Sequence, residues 1–250
     1  KKGKNMLKVT TKKVSFIIML VLMGISKTIA MERSITLGMQ LEPPNLNPTA
    51  GAAAAIDEIV YANLFEGLTR FQSDGSVAPA LAKSWSISSD NLTYTFNLNQ
   101  NVKFHDGTAM TAKDVKFSLD RARNDGSTNA QKALFNDIES VKIRDNSTVI
   151  VKLKVPNGGF IANMAWGDAI IVSEKTISQA ETAPVGTGPF KFSKWVKGDR
   201  VELVKNNAYW GTKASLDKAI FKFVSDPTAA FAAMMAGDID AFPVFPAPEN

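Results

Sequence analysis

The sequence predicts a mixed α/β fold, and three observations carry the prediction. Short runs of alternating apolar residues are separated by turns rich in Gly, Asp and Asn. Two helical segments open on recognisable caps. Between Ile220 and Phe242, strand, helix and strand follow in quick succession, a pattern that demands a parallel pair in the sheet.

The elements follow in order. Ser34–Met39 alternates apolar positions and reads as a strand. It ends in the breaker-rich Glu42-Pro43-Pro44-Asn45-Leu46-Asn47-Pro48. A helix is expected from Ala52 to Glu66, with Ile56, Ile59, Val60 and Leu64 as its stripe and Gly67 as its cap. Ser73-Asp74-Gly75-Ser76 is a turn. Leu92, Tyr94, Phe96 and Leu98 mark a half-buried strand. His105-Asp106-Gly107-Thr108 is a second turn, and Thr111 with Asp114 forms a capping box for a helix to Asn124. Val141 to Val155 folds back on itself around Asp145-Asn146-Ser147. Phe190 and Phe192 pair with Val201 and Leu203 across Lys197-Gly198-Asp199-Arg200. Asp226-Pro227 then opens a helix that ends at Gly237, and Ile239–Phe242 reads as the strand after it.

The net charge of +5 belongs to the first thirty residues. They hold seven lysines and no acid, which leaves −2 on residues 31–250. A body this near neutrality lacks the basic face that nucleic-acid binding needs. The same thirty residues have the layout of a secretory signal peptide: lysine-rich start, apolar Val14–Ile25, small and polar residues to Ala30. The apolar run is shorter than the roughly 20 residues of a membrane span. A cleaved signal is therefore the reading, and an uncleaved N-terminal anchor the alternative. With no cysteine there is no disulfide, no thiolate chemistry and no lipid-anchor cysteine, so the periplasm is the expected compartment.

Residues for catalysis are sparse. The single histidine, His105, lies in a turn with no nucleophile motif, and one histidine cannot build a zinc site. Carboxylates remain available at Asp57, Glu58, Asp106, Asp137, Glu139, Asp168, Asp238 and Asp240, but their spacing suggests no pair. Gly186-Thr187-Gly188-Pro189 is dense in glycine without the features of a phosphate loop. Its glycines suit close approach of backbone to a strand or to a ligand. Trp166, between Asn163 and Asp168, is either core or a pocket wall.

Several stretches then stand out as a set. They are Glu42–Pro48, Leu64-Phe65-Glu66-Gly67-Leu68, Leu81–Trp85, Leu92–Phe96 and Val102–Thr108 with Thr111–Val115. Pro184–Phe190, Asn207–Trp210 and Ala236–Asp240 complete it. In this order they resemble the large extracytoplasmic solute-binding proteins of ABC importers, the group that includes dipeptide-, oligopeptide- and nickel-binding proteins. The resemblance implies a periplasmic-binding-protein-like lobe with a mixed sheet and an inserted α+β subdomain. Residues 31–70 and 179–250 would form the lobe and 71–178 the insert. A second lobe would lie outside a chain that is about half the usual mature length. It implies a ligand site at Met39, Gln40, Leu41, Glu42 and Phe242, with Ala241 and Pro243 beside it. Gly186, Thr187 and Gly188 would lie near the lobe junction, and Trp166 is added as a candidate wall. His105 would stay remote from ligand. No enzyme activity, cofactor or metal is implied. The partners are a peptide or small polar solute and a cognate permease in the inner membrane, and the protein is expected to be a monomer. A periplasmic carboxylate-based hydrolase, or a truncated interaction or sensory module, is the alternative.

Overall fold

A computed structural model describes residues 32–243. The signal-peptide reading falls on residues 1–30, outside the described residues. No described helix is long and apolar enough to cross a membrane.

Two four-stranded sheets organise Arg33 onward. The first has the order β1 (Ser34–Met39), β10 (Lys218–Phe223), β9 (Arg200–Lys205), β8 (Phe190–Val196). β1 runs parallel to β10 in the register Leu37 to Phe221, and β10–β9–β8 is antiparallel. The second has the order β4 (Ala82–Ile87), β5 (Thr93–Leu98), β7 (Thr148–Leu153), β6 (Ile138–Asp145), antiparallel throughout. A small hairpin, β2 (Thr69–Phe71) with β3 (Val77–Pro79), turns at Gly75.

Each sheet has its own core. Tyr94, Phe96 and Leu98 of β5 alternate inward with Val149 and Val151 of β7. They meet Val115 and Leu119 of helix α2 (Ala112–Arg123). That helix starts as expected. The Thr111 hydroxyl accepts from Lys113 N, and the Asp114 carboxylate accepts from Thr111 N at 2.8 Å. The first sheet packs Val201, Leu203 and Phe221 on Ile56, Ile59 and Val60 of helix α1 (Ala54–Val60). A four-residue helix, α3 (Phe160–Asn163), follows β7, and α4 (Pro227–Ala236) follows β10. Asp226 caps α4 by accepting from Ala229 N at 2.7 Å, and Gly237 ends it at φ 77°.

Two elements differ from expectation. The first helix stops at Val60, not Glu66. Ala62 takes φ 57°, and the carbonyls of Asn63 and Leu64 accept from Phe190 N and Gly188 N. The helical run is already broken at Tyr61, which is extended at ψ 132°, and the carbonyls a cap at Gly67 would draw on are turned to the Gly188–Phe190 segment, so Gly67 is not its cap. Gly67 instead packs on the Met164 carbonyl, where a Cβ would come within 2.6 Å. The strand expected at Ile239–Phe242 shrinks to one parallel bridge, Ala241 to Leu37. It lies against β1 rather than β10, held by Asp240 N to Thr36 O (2.8 Å), Thr36 N to the Asp240 carboxylate (2.7 Å) and Gly38 N to Ala241 O (2.8 Å). Pro243 then removes the N–H that the ladder would need next.

Candidate functional site

The carboxyl ends of parallel strands are where α/β sheets leave open crevices. At the end of β1 there is a pocket of about 390 Å³, lined by Met39, Gln40, Leu41, Glu42, Phe242 and Pro243 together with Ala53, which precedes α1, and Ala54, Ala55 and Glu58 of α1. That size suits a small ligand. Gly38 makes it possible, because the Phe242 ring lies where a Cβ would be, 2.2 Å from its Cδ2. Leu41 is 65 % exposed at the rim. Glu42 is tied down: its carboxylate accepts from Trp195 Nε1 at 2.9 Å and from Gly198 N at 3.0 Å, fixing the pocket edge to the β8–β9 turn.

The structure thus brings five of the nine expected site residues to one pocket and leaves four elsewhere. Trp166 is half exposed, edge-on to Phe71 at 6.0 Å, and is neither core nor a wall of this pocket. Gly186, Thr187 and Gly188 are buried and fully engaged with their own chain. Gly186 and Gly188 lie on the backbone of Asn63–Phe65, with no room for a Cβ at either. His105 clamps the loop. Its Nδ1 accepts from Gly186 N at 3.2 Å, and its Nε2 lies 3.1 Å from the Gly188 carbonyl and donates to it. Thr187 donates to Glu66 at 2.8 Å, and Tyr209 OH (2.7 Å) and Trp210 Nε1 (3.0 Å) donate to the same carboxylate. Burial raises the Glu66 pKa against those three bonds.

The structure also pairs two acids whose sequence spacing gave no hint of it. Asp57 of α1 lies under Gly167, its carboxylate 2.7 Å from where a Cβ would be, and its Oδ1 has no hydrogen-bond partner. Burial, then the charge of Asp168, pushes its pKa up to about 6. Burial also raises Asp168. His105 moves the other way: burial first, against the bond to Gly188, lowers it to about 4. The signs oppose. Between about pH 4 and 6.5 the unfolded chain holds more protons at position 105, so acidification destabilises. Between about 3.8 and 6 the folded chain holds more at position 57, so acidification stabilises. Urea midpoints measured at pH 6.5 and 4.5 should therefore fall more steeply on acidification in Asp57→Asn than in the parent. They should fall less in His105→Gln. Equal slopes in all three would remove both assignments.

Residues 76–250 match the family model described as bacterial extracellular solute-binding proteins, family 5 Middle. The chain belongs to this family. A glutathione-binding protein of Pectobacterium atrosepticum is 35% identical over 196 residues, covering 76% of this chain and 38% of its own. A Campylobacter jejuni protein solved with Ni(L-His) superposes at TM-score 0.75 and 32% identity, over 82% of this chain and 42% of its own. A Helicobacter pylori periplasmic binding protein solved with the peptide STSA gives 0.76 and 28%, over 82% and 45%. The chain therefore spans about 40% of the length of the relatives it matches. Family 5 is made of non-enzymatic, extracytoplasmic binding proteins, and the mixed α/β architecture described above is that of its lobes. Within the family 5 lobe, Ala53–Ala55 and Glu58 are pocket walls that sequence reading passed over. The run Ala52–Ala55, small side chains at a helix start after a proline-rich turn, was the available signal.

Proposed function

We propose that this chain forms one lobe of the substrate-binding component of an ABC importer. The whole protein captures a peptide or similar small polar solute between two lobes and delivers it to the permease of the inner membrane. The carrying observation is the pocket at the end of β1, with Gly38 cleared for Phe242. The peptide, nickel-histidine and glutathione ligands named for similar proteins agree with it. Met39, Gln40, Leu41 and Phe242 touch the solute. Glu42 positions them, and Gly186–Gly188 hold the lobe together instead. Residues 31–70 and 179–250 are the lobe and 71–178 the insert, a division supported by the two cores, whose buried residues cross it only near its boundaries, at Leu68 and at Ile170 and Val172. Residues 1–30 are a cleaved signal peptide and the site of action is the periplasm.

A pocket on one lobe covers one face of a ligand. Peptide pools added at millimolar concentration should shift the amide resonances of Met39–Glu42 and Phe242, with affinity weaker than micromolar. Shifts confined to other residues would sink the site assignment, and micromolar binding by residues 31–250 would sink the two-lobe requirement. The protein acts without catalysis, so the peptides should be recovered intact. Turnover lost in Asp57→Asn would favour the hydrolase alternative, which the Asp57–Asp168 pair alone supports.

A further inference from the structure

A cavity of about 720 Å³ lies along α2 and is remote in sequence from the β1 pocket. Three cations line it, Lys113, Lys116 and Arg121, against one acid, Asp120. That acid is already held by Lys116 and by Arg123. Arg121 is left without a carboxylate. Arg33, Arg123 and Arg200 each make an ion pair, and Arg70 and Arg144 share with Arg121 the lack of one among the described residues. Arg121, half-buried, makes one bond only, Nη1 to Thr49 Oγ1 at 2.5 Å. Burial lowers its pKa, which is the cost of holding a cation there without an ion pair. A guanidinium offers five donors in a planar fork that suits an oxyanion. A second cavity of about 310 Å³ shares Arg121 and Thr128 as its wall, so Arg121 borders open space on two sides, with Glu181 the one acid of the second. Phe117 and Ile143 add an apolar flank, and Ile143 is 39% exposed.

We propose that this groove is a second ligand site, taking a small molecule with an oxyanion head on Arg121 and an apolar body along Phe117 and Ile143. It goes beyond the proposed import function and does not depend on it. The head is a carboxylate or a phosphate, and the test separates the two. Inorganic phosphate and hexanoate are titrated into the full chain at constant ionic strength and followed by amide resonances. Saturable shifts at Arg121–Thr128 are expected, extending to Ile143 with hexanoate. Arg121→Gln should weaken binding about ten- to a hundredfold, the worth of a hydrogen bond to a charged group. Response to phosphate alone assigns an inorganic ion, and response to hexanoate assigns an organic acid. Absence of saturable shifts at these amides with both probes overturns the proposal, as does an unchanged titration in Arg121→Gln. If that variant does not fold, the parent titration decides alone.

Discussion

Replacing Glu66 by alanine should lower the stability of the chain by about 3–5 kcal/mol, the range for leaving buried groups of a charged network without a partner. Three donors from two distant segments end on this one carboxylate: Thr187 from one, Tyr209 and Trp210 from the other. Alanine leaves all three facing a space that water must fill or the fold must close. Glu66→Gln should behave differently, costing about 1 kcal/mol. Its amide oxygen can take the place of Oε2 and keep Thr187 and Trp210, while its NH₂ donates to the Tyr209 hydroxyl. Chemical denaturation of the two variants tests the idea. Equal losses would show that charge, rather than shape and donor count, matters at this site.

Gly186→Ala should destabilise by about 3 kcal/mol or more, at the upper end for overpacking because the obstacle is backbone. A Cβ at Gly186 would sit 1.9 Å from the Leu64 carbonyl oxygen, and at Gly188 2.3 Å from that of Asn63. Neither obstacle is the far end of a flexible side chain. The same shift would pull Gly186 N from His105 and Thr187 from Glu66. At roughly 2–4 °C per kcal/mol for a chain of this size, the loss reads directly as a lowered Tm. Gly75→Ala is the control: nothing lies within 4 Å of its Cβ position, though φ is 81°. It should cost about 1 kcal/mol, the strain of a left-handed turn alone. If Gly186→Ala costs no more than Gly75→Ala, the loop has room to move.

Local signals were legible in the sequence, and long-range ones were not. The Thr111–Asp114 box, the Asp226 cap and the alternation of Tyr94, Phe96 and Leu98 act between near neighbours, and the structure contains each. The end of the first helix is not legible because it breaks at Tyr61–Ala62 inside an unbroken apolar spacing, and beyond the break Gly188 and Phe190 compete for the carbonyls of Leu64 and Asn63. Periodicity continued through Leu64 and carried no trace of that competition. The pocket at the end of β1 could be located from the resemblance, since strand ends keep their place in a family. Trp166 could not, because its surroundings depend on how Phe71 of another hairpin arrives. Glu66 carried a weak signal, an acid inside the apolar run Leu64–Leu68, but its three donors lie 121 to 144 residues away.

The parallel pairing of β1 with β10 also governs the order in which the chain can fold. Arg33 and Asp217, which flank that pair, are 184 residues apart. Closing so long a loop costs little more than closing one half its length, about 0.6 kcal/mol per doubling. The penalty falls on rate instead, because non-local pairing must await everything between. The sheet β4–β7 has all its strand pairing within residues 82–153 and needs no strand from either end. Pulse-labelled hydrogen exchange during refolding should therefore protect β5 and β7 before β1. As the chain emerges from a ribosome, its first strand stays unpaired until residue 223 has been made, an interval in which a chaperone or export factor finds it open.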